Sequence, residues 1–167
     1  MRLILSVLFL IFSSSAWAMG NLSTQVPKNS LIGQQATDIV LGKSDGTTSS
    51  VLASRGGKKA ILVFWASWCP HCYQELGNIN DNLASIEHTG VNVILVDVGE
   101  TKGEVNSYFD RRQMKLVSFI DGDSALQDPY HLIGVPTMVF IDDKGIIKNV
   151  TNEFPLDYEN YFNSAGA

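Results

Sequence analysis

The sequence predicts an α/β domain: a central mixed β-sheet flanked by helices, extended at its N-terminal side by a β-hairpin. Three observations carry this expectation. Ala60 to Ala66 (AILVFWA) and Val91 to Val98 (VNVILVDV) are near-continuous apolar runs, as expected of strands covered on both faces. Between them, Cys72, Leu76, Ile79, Leu83 and Ile86 recur at steps of four and three, which is one face of a helix. Further on, Thr137 to Ile141 and Ile146 to Val150 flank Asp142-Asp143-Lys144-Gly145, a hairpin turn. Strands alternating with helices imply β-α-β crossovers and a parallel core, to which the hairpin adds an antiparallel edge.

The elements follow in order along the 167-residue chain, which is long enough for one domain with a sizeable core. Residues 1–18 stand apart from that domain. Arg2 supplies a positive start, Leu3 to Phe12 is apolar but for Ser6, and Ala16-Trp17-Ala18 follows a serine run. This is the three-part layout of a secretory signal peptide, with cleavage expected after Ala18. The run falls short of the about 20 apolar residues of a transmembrane helix; an uncleaved segment would serve as an N-terminal anchor. Residues 19–31 are polar and irregular and read as a linker or N-terminal arm. The folded domain is expected over residues 32–163.

Within the domain, Ile39 to Leu41 and Val51-Leu52 flank the turn signal Asp45-Gly46, giving the N-terminal hairpin. Pro70 suits the first turn of the helix after Ala60–Ala66, where its missing N–H does no harm. Gly77 lies inside that helix at a cost of about 1 kcal/mol relative to Ala, which suggests a bend or a close contact. Glu104 to Arg112 is weakly helical, and Lys115 to Ile120 reads as a third strand. Ser124 to Ile133 reads as a short helix with Leu126 and Tyr130 inward. Pro155 opens a last helix, Leu156 to Phe162.

Loss of Arg2 with the leader would take the formal net charge from −5 to −6. An acidic chain without a Lys/Arg block argues against nucleic-acid partners and against anionic membrane surfaces. No phosphate-binding Gly loop and no H-E-x-x-H motif is present, and neither a cofactor nor a metal is expected.

The two cysteines, Cys69 and Cys72, both lie in one C-x-x-C. A disulfide between them closes almost no loop, so reversible chemistry explains the pair better than cross-linking does. Cys69 falls where the strand ends and the helix begins. Free backbone N–H groups and the helix dipole favour an anion there, so its thiol is expected to ionise readily. Cys72 lies one turn further in, on the apolar face. Cys69 is thus the expected nucleophile and Cys72 the resolving thiol. Pro70 removes one N–H donor, and His71 can place an imidazolium near the sulfur. Thiolate stabilisation of about 1.4 kcal/mol corresponds to about 30 mV, which predicts a couple more oxidising than that of cytosolic thioredoxin.

Phe64-Trp65-Ala66-Ser67-Trp68-Cys69-Pro70-His71-Cys72, with Val96-Asp97-Val98, Tyr130, Gly134-Val135-Pro136-Thr137, Phe140-Ile141-Asp142 and Gly145, resembles the thioredoxin superfamily. It is most similar to the exported TlpA/ResA-like thiol–disulfide oxidoreductases. The resemblance runs from about Leu31 to Phe162 and implies a thioredoxin fold. It implies that Pro136 is the family's cis-proline, facing the cysteines and pairing with substrate backbone, and that Val135 before it touches them. It implies that Trp68 is the aromatic flanking the nucleophile and Glu75 an active-site glutamate. Thioredoxin's buried strand Asp is replaced by Val63, which would leave Glu75 or water as proton acceptor. Cys-Pro-His-Cys with Val before the cis-proline is the combination of the oxidant DsbA, whose helical insertion this chain is too short to hold.

The function so implied is reduction of protein disulfides outside the cytoplasm, such as those of apocytochrome c, by a monomer fed with electrons from a membrane partner. A DsbA-like disulfide-forming oxidase is the alternative the site chemistry permits. A thiol peroxidase would want Thr or Ser three residues before the reactive Cys, where Ala66 stands. A non-catalytic thioredoxin-fold adaptor would need neither both cysteines nor the cis-proline.

Overall fold

A computed structural model describes residues 30–163. The leader over 1–18 and nearly all of the arm over 19–31 lie outside the described residues. Two short antiparallel strands, β1 (Val40–Gly42) and β2 (Thr48–Ser50), form the N-terminal hairpin around Asp45-Gly46. The main elements then run β3 (Lys59–Trp65), α1 (Pro70–His88), β4 (Val91–Val98), α2 (Lys102–Arg112), β5 (Ser118–Asp121), β6 (Thr137–Ile141) and β7 (Ile147–Thr151). The five-stranded sheet has the order β5-β4-β3-β6-β7. β3, β4 and β5 are parallel, and β6 and β7 add the antiparallel edge.

This is the thioredoxin-like α/β fold with an N-terminal two-stranded extension. Its central strands are apolar on both faces because both faces are covered. One face of β3 and β4 presents Ile61, Val63, Trp65 and Leu95 to α1 and α2; the other presents Leu62, Phe64, Ile94 and Val96 to Leu126, Tyr130 and the N-terminal segment. α1 buries Cys72, Leu76, Ile79 and Ile86 against the first face. The Tyr130 hydroxyl donates to the Thr37 carbonyl at 2.7 Å, tying that segment to the second.

Several expectations are corrected. Residues 124–133 form successive turns rather than a helix. The Asp121 carboxylate accepts from the N–H groups of Ala125 and Leu126, and Ser124 and His131 take left-handed backbone angles that interrupt helical bonding. Leu126 and Tyr130 do point inward. The last helix shrinks to a 3-10 turn over Tyr158–Phe162, and Asp157 before it offers no side-chain cap. β5 starts at Ser118, because the Lys115 N–H is taken by the Asn80 side chain. α2 begins earlier than its apolar points suggest, on a capping box between Thr101 and Glu104.

The close contact suggested for Gly77 is not met: a Cβ there would find nothing within 4 Å. Gly77→Ala is therefore expected to stabilise the domain by about 0.5–1 kcal/mol, through helix propensity and a less flexible unfolded chain. A rise in the urea midpoint at constant m-value checks this; a fall would show that the position cannot accept a methyl group.

Candidate active site

β3 ends at Trp65, and α1 begins five residues later at Pro70. The connection is short because Cys69 itself caps the helix. Its backbone is extended (φ −87°, ψ 113°), and its sulfur accepts the Cys72 N–H at 3.1 Å. Pro70 stands in the first turn, as its missing donor allows. Cys69 and Cys72 are joined as a disulfide. Cys72 is fully buried beneath the helix and Cys69 is 4% exposed, so the sulfur nearer the surface belongs to Cys69.

The loop before β6 meets the disulfide from the opposite side. The Val135–Pro136 peptide bond is cis, and the Val135 carbonyl oxygen lies 3.3 Å from Cys69 Sγ. Thr137 donates through its hydroxyl to the Gly134 carbonyl at 2.7 Å. Asn152, just beyond β7, donates to the Pro136 carbonyl at 3.0 Å and so braces the loop from behind.

A cleft of about 630 Å³ opens beside the disulfide, lined by His71, Glu75, Ile133, Val135, Pro136 and Asn152 among others. Glu75 forms part of its wall, where the carboxylate accepts the Phe154 N–H at 3.1 Å and ties α1 to the segment after β7. Trp68 is 67% exposed on the turn leading to Cys69. Ile133, on the far rim, is wholly exposed. Of the site residues expected from the sequence, His71 and Glu75 on α1 and Val135 with Pro136 opposite line the cleft; Cys69 caps α1, Pro70 and Cys72 lie in its first turn, and Trp68 precedes Cys69.

Sequence reasoning did not single out Asn152, Asp97 or Glu100. Asn152 reaches the cis-proline loop across a hairpin and leaves no local signal. Glu100 accepts hydrogen bonds from both the backbone N–H and the hydroxyl of Ser67, two residues before Cys69. Asp97 is fully buried at the end of β4. Burial, reinforced by the neighbouring Glu100 carboxyl, pushes its pKa up to about 8. A carboxylate inside an apolar strand was the available signal.

The arrangement can carry two electrons as a dithiol/disulfide pair and present an adjoining cleft to a peptide chain. Residues 32–150 match the AhpC/TSA family. The thiol-disulfide oxidoreductase ResA of Geobacillus thermodenitrificans is 29% identical over 119 residues, covering 71% of this chain and 68% of the relative. The thioredoxin-like protein YneN of Bacillus subtilis is 30% identical over 125 residues, covering 71% and 69%. Among solved structures, a Chlorobium tepidum protein assigned as thiol:disulfide interchange protein DsbE superposes with a TM-score of 0.69 at 25% identity, covering 80% of this chain and 96% of that one. StoA of Bacillus subtilis shares the fold, with a TM-score of 0.64 at 21% identity over 77% and 98% of the two chains. The chain belongs to the AhpC/TSA family, and within it to the thioredoxin-like thiol–disulfide oxidoreductases similar to ResA.

Proposed function

We propose that this protein is a reductase of selected protein disulfides outside the cytoplasm, acting as a monomer and recharged by a membrane-bound electron donor. Cytochrome c maturation is the process in which such a reductase would serve. The observation that carries the reading is the Cys69–Cys72 disulfide at the start of α1, facing the cis Val135–Pro136 bond beside an open cleft. In this reading Cys69 attacks, Cys72 resolves, Pro70 and His71 tune the couple, and Val135 and Pro136 hold the substrate strand. Trp68 packs on the substrate beside its sulfur. The apolar leader over residues 1–18 supports export, with or without a retained anchor.

The Cys-Pro-His-Cys sequence favours a second reading, a disulfide-forming oxidase. An exposed His71 at the cleft, able to place positive charge near the Cys69 sulfur, favours the reduced form and so raises the potential. One measurement separates the two. The reduction potential of the domain, titrated against glutathione, is expected above the about −270 mV of thioredoxin but below about −200 mV. A value near the about −180 mV of protein disulfide isomerase or higher, with faster oxidation of reduced proteins than reduction of insulin, would assign the oxidase instead. Cys69→Ser serves as the inactive control in both assays.

A further inference from the structure

Beneath the turn that carries Cys69 lie two carboxyl groups in a position that exchange chemistry alone does not require. Asp97 pairs in register with Trp65 across β3 and β4. It shares a sheet face with Val93 and Leu95, which pack toward α1 and α2. One of its oxygens accepts the Glu100 N–H at 3.3 Å; the other is buried and has no partner among the described residues. Glu100 is 8% exposed, and each of its oxygens accepts one hydrogen bond from Ser67, which leaves acceptor capacity for a proton on Asp97. A covalent step of two residues then leads through Trp68 to Cys69.

We propose that Asp97 and Glu100 form a proton-sharing carboxyl pair that positions the Ser67–Cys69 turn and couples its own ionisation to that of the Cys69 thiol. The proposal rests on the redox reading above and adds a positioning role to it. With its proton, Asp97 donates to Glu100, and the pair carries a single negative charge directed at Ser67. Without it, a second negative charge sits behind the turn. Like charges oppose one another's formation, so an ionised Asp97 raises the thiol pKa and a Cys69 thiolate holds the proton on Asp97 more tightly. The two groups therefore titrate as a coupled system.

The surroundings reinforce this arrangement. Glu104, in the first turn of α2, adds a further negative charge that raises Asp97. Tyr108, also on α2, contributes a buried hydroxyl without a partner among the described residues. Arg112 stacks over the Tyr108 ring at 4.1 Å and the Tyr73 ring of α1 at 4.9 Å. From β3 and β5 the register partners of Asp97 are Trp65 and Ile120, both uncharged, and Trp65 donates in turn to Ser118.

Carboxyl-carbon NMR of the whole folded domain tests the proposal without a substitution. In the disulfide form one aspartate is expected to titrate near pH 8. On reduction its midpoint should rise by about one pH unit. Asp97→Asn should convert a two-step pH profile of Cys69 alkylation to a single step, and Glu100→Gln, which removes the charge that raises Asp97, should move the Asp97 step to lower pH. The same midpoint in both redox states, or an unchanged alkylation profile in the variants, would overturn the coupling while leaving the dithiol cycle intact. Loss of that cycle in the unmodified protein would instead sink the redox reading itself.

Discussion

Cys69→Ser abolishes turnover of a protein disulfide, whereas Cys72→Ser reacts once and stops as a covalent complex. The expected loss in either case is on the order of 10³-fold or more, since no other thiol is present to take over. The asymmetry follows from position. In the disulfide form the Cys69 sulfur already faces the N–H of Cys72 and the free end of the helix, an environment that stabilises a thiolate once the bond is reduced. That thiolate attacks one sulfur of the substrate, whose partner sulfur leaves as a thiolate. Cys72, buried one turn deeper, then attacks the Cys69 sulfur and releases the second substrate thiol. Two electrons have moved, and Cys69–Cys72 is the disulfide. Without Cys72 the second step fails, so intact-mass measurement should show the variant plus one substrate chain, removable by dithiothreitol. Normal turnover by Cys72→Ser would contradict this division of labour, as would a trapped complex on Cys72 rather than Cys69.

The parts of this molecule legible in its sequence are those whose causes are local. β3, β4 and β6 fall within one residue of their apolar runs, because strands buried on both faces admit almost nothing polar. The cysteine pair is equally legible: capping, proline placement and thiol spacing all lie within four residues. Residues 124–133 misled because their apolar spacing is real while their hydrogen bonds are not helical. Asp121, outside the segment, takes two of its N–H groups. The supports of the site were hidden for the same reason. Glu100 reaches Ser67 from 33 positions away, and Asn152 reaches Pro136 from 16. Val63 correctly signalled that β3 offers no buried carboxylate. The buried carboxyl comes instead from β4, where Asp97 interrupts an otherwise apolar run, while Glu75 is engaged with Phe154 at the cleft wall.

Two tryptophans three residues apart separate the requirements of folding from those of function. Trp65 is fully buried. Its ring lies 5.2 Å from that of Tyr108 and 5.1 Å from that of Phe109, and its N–H donates to the Ser118 hydroxyl at 2.9 Å. Trp65→Ala would empty the space between β3 and α2, at a cost of about 3–5 kcal/mol. That is a large share of the roughly 5–15 kcal/mol that holds a domain together. Trp68 is two-thirds exposed and has little packing to lose, so Trp68→Ala should change stability by less than about 0.5 kcal/mol. Its ring stands at the surface beside Cys69, where an apolar face can cover a docked peptide. Trp68→Ala should therefore raise KM for a protein disulfide several-fold, by about 1 kcal/mol of lost contact, while leaving reduction of a small disulfide unchanged. Denaturant unfolding and the two kinetic assays decide the matter. Equal stability losses in the two variants would place Trp68 in the core, and an unaltered KM for the protein substrate would remove it from the docking surface.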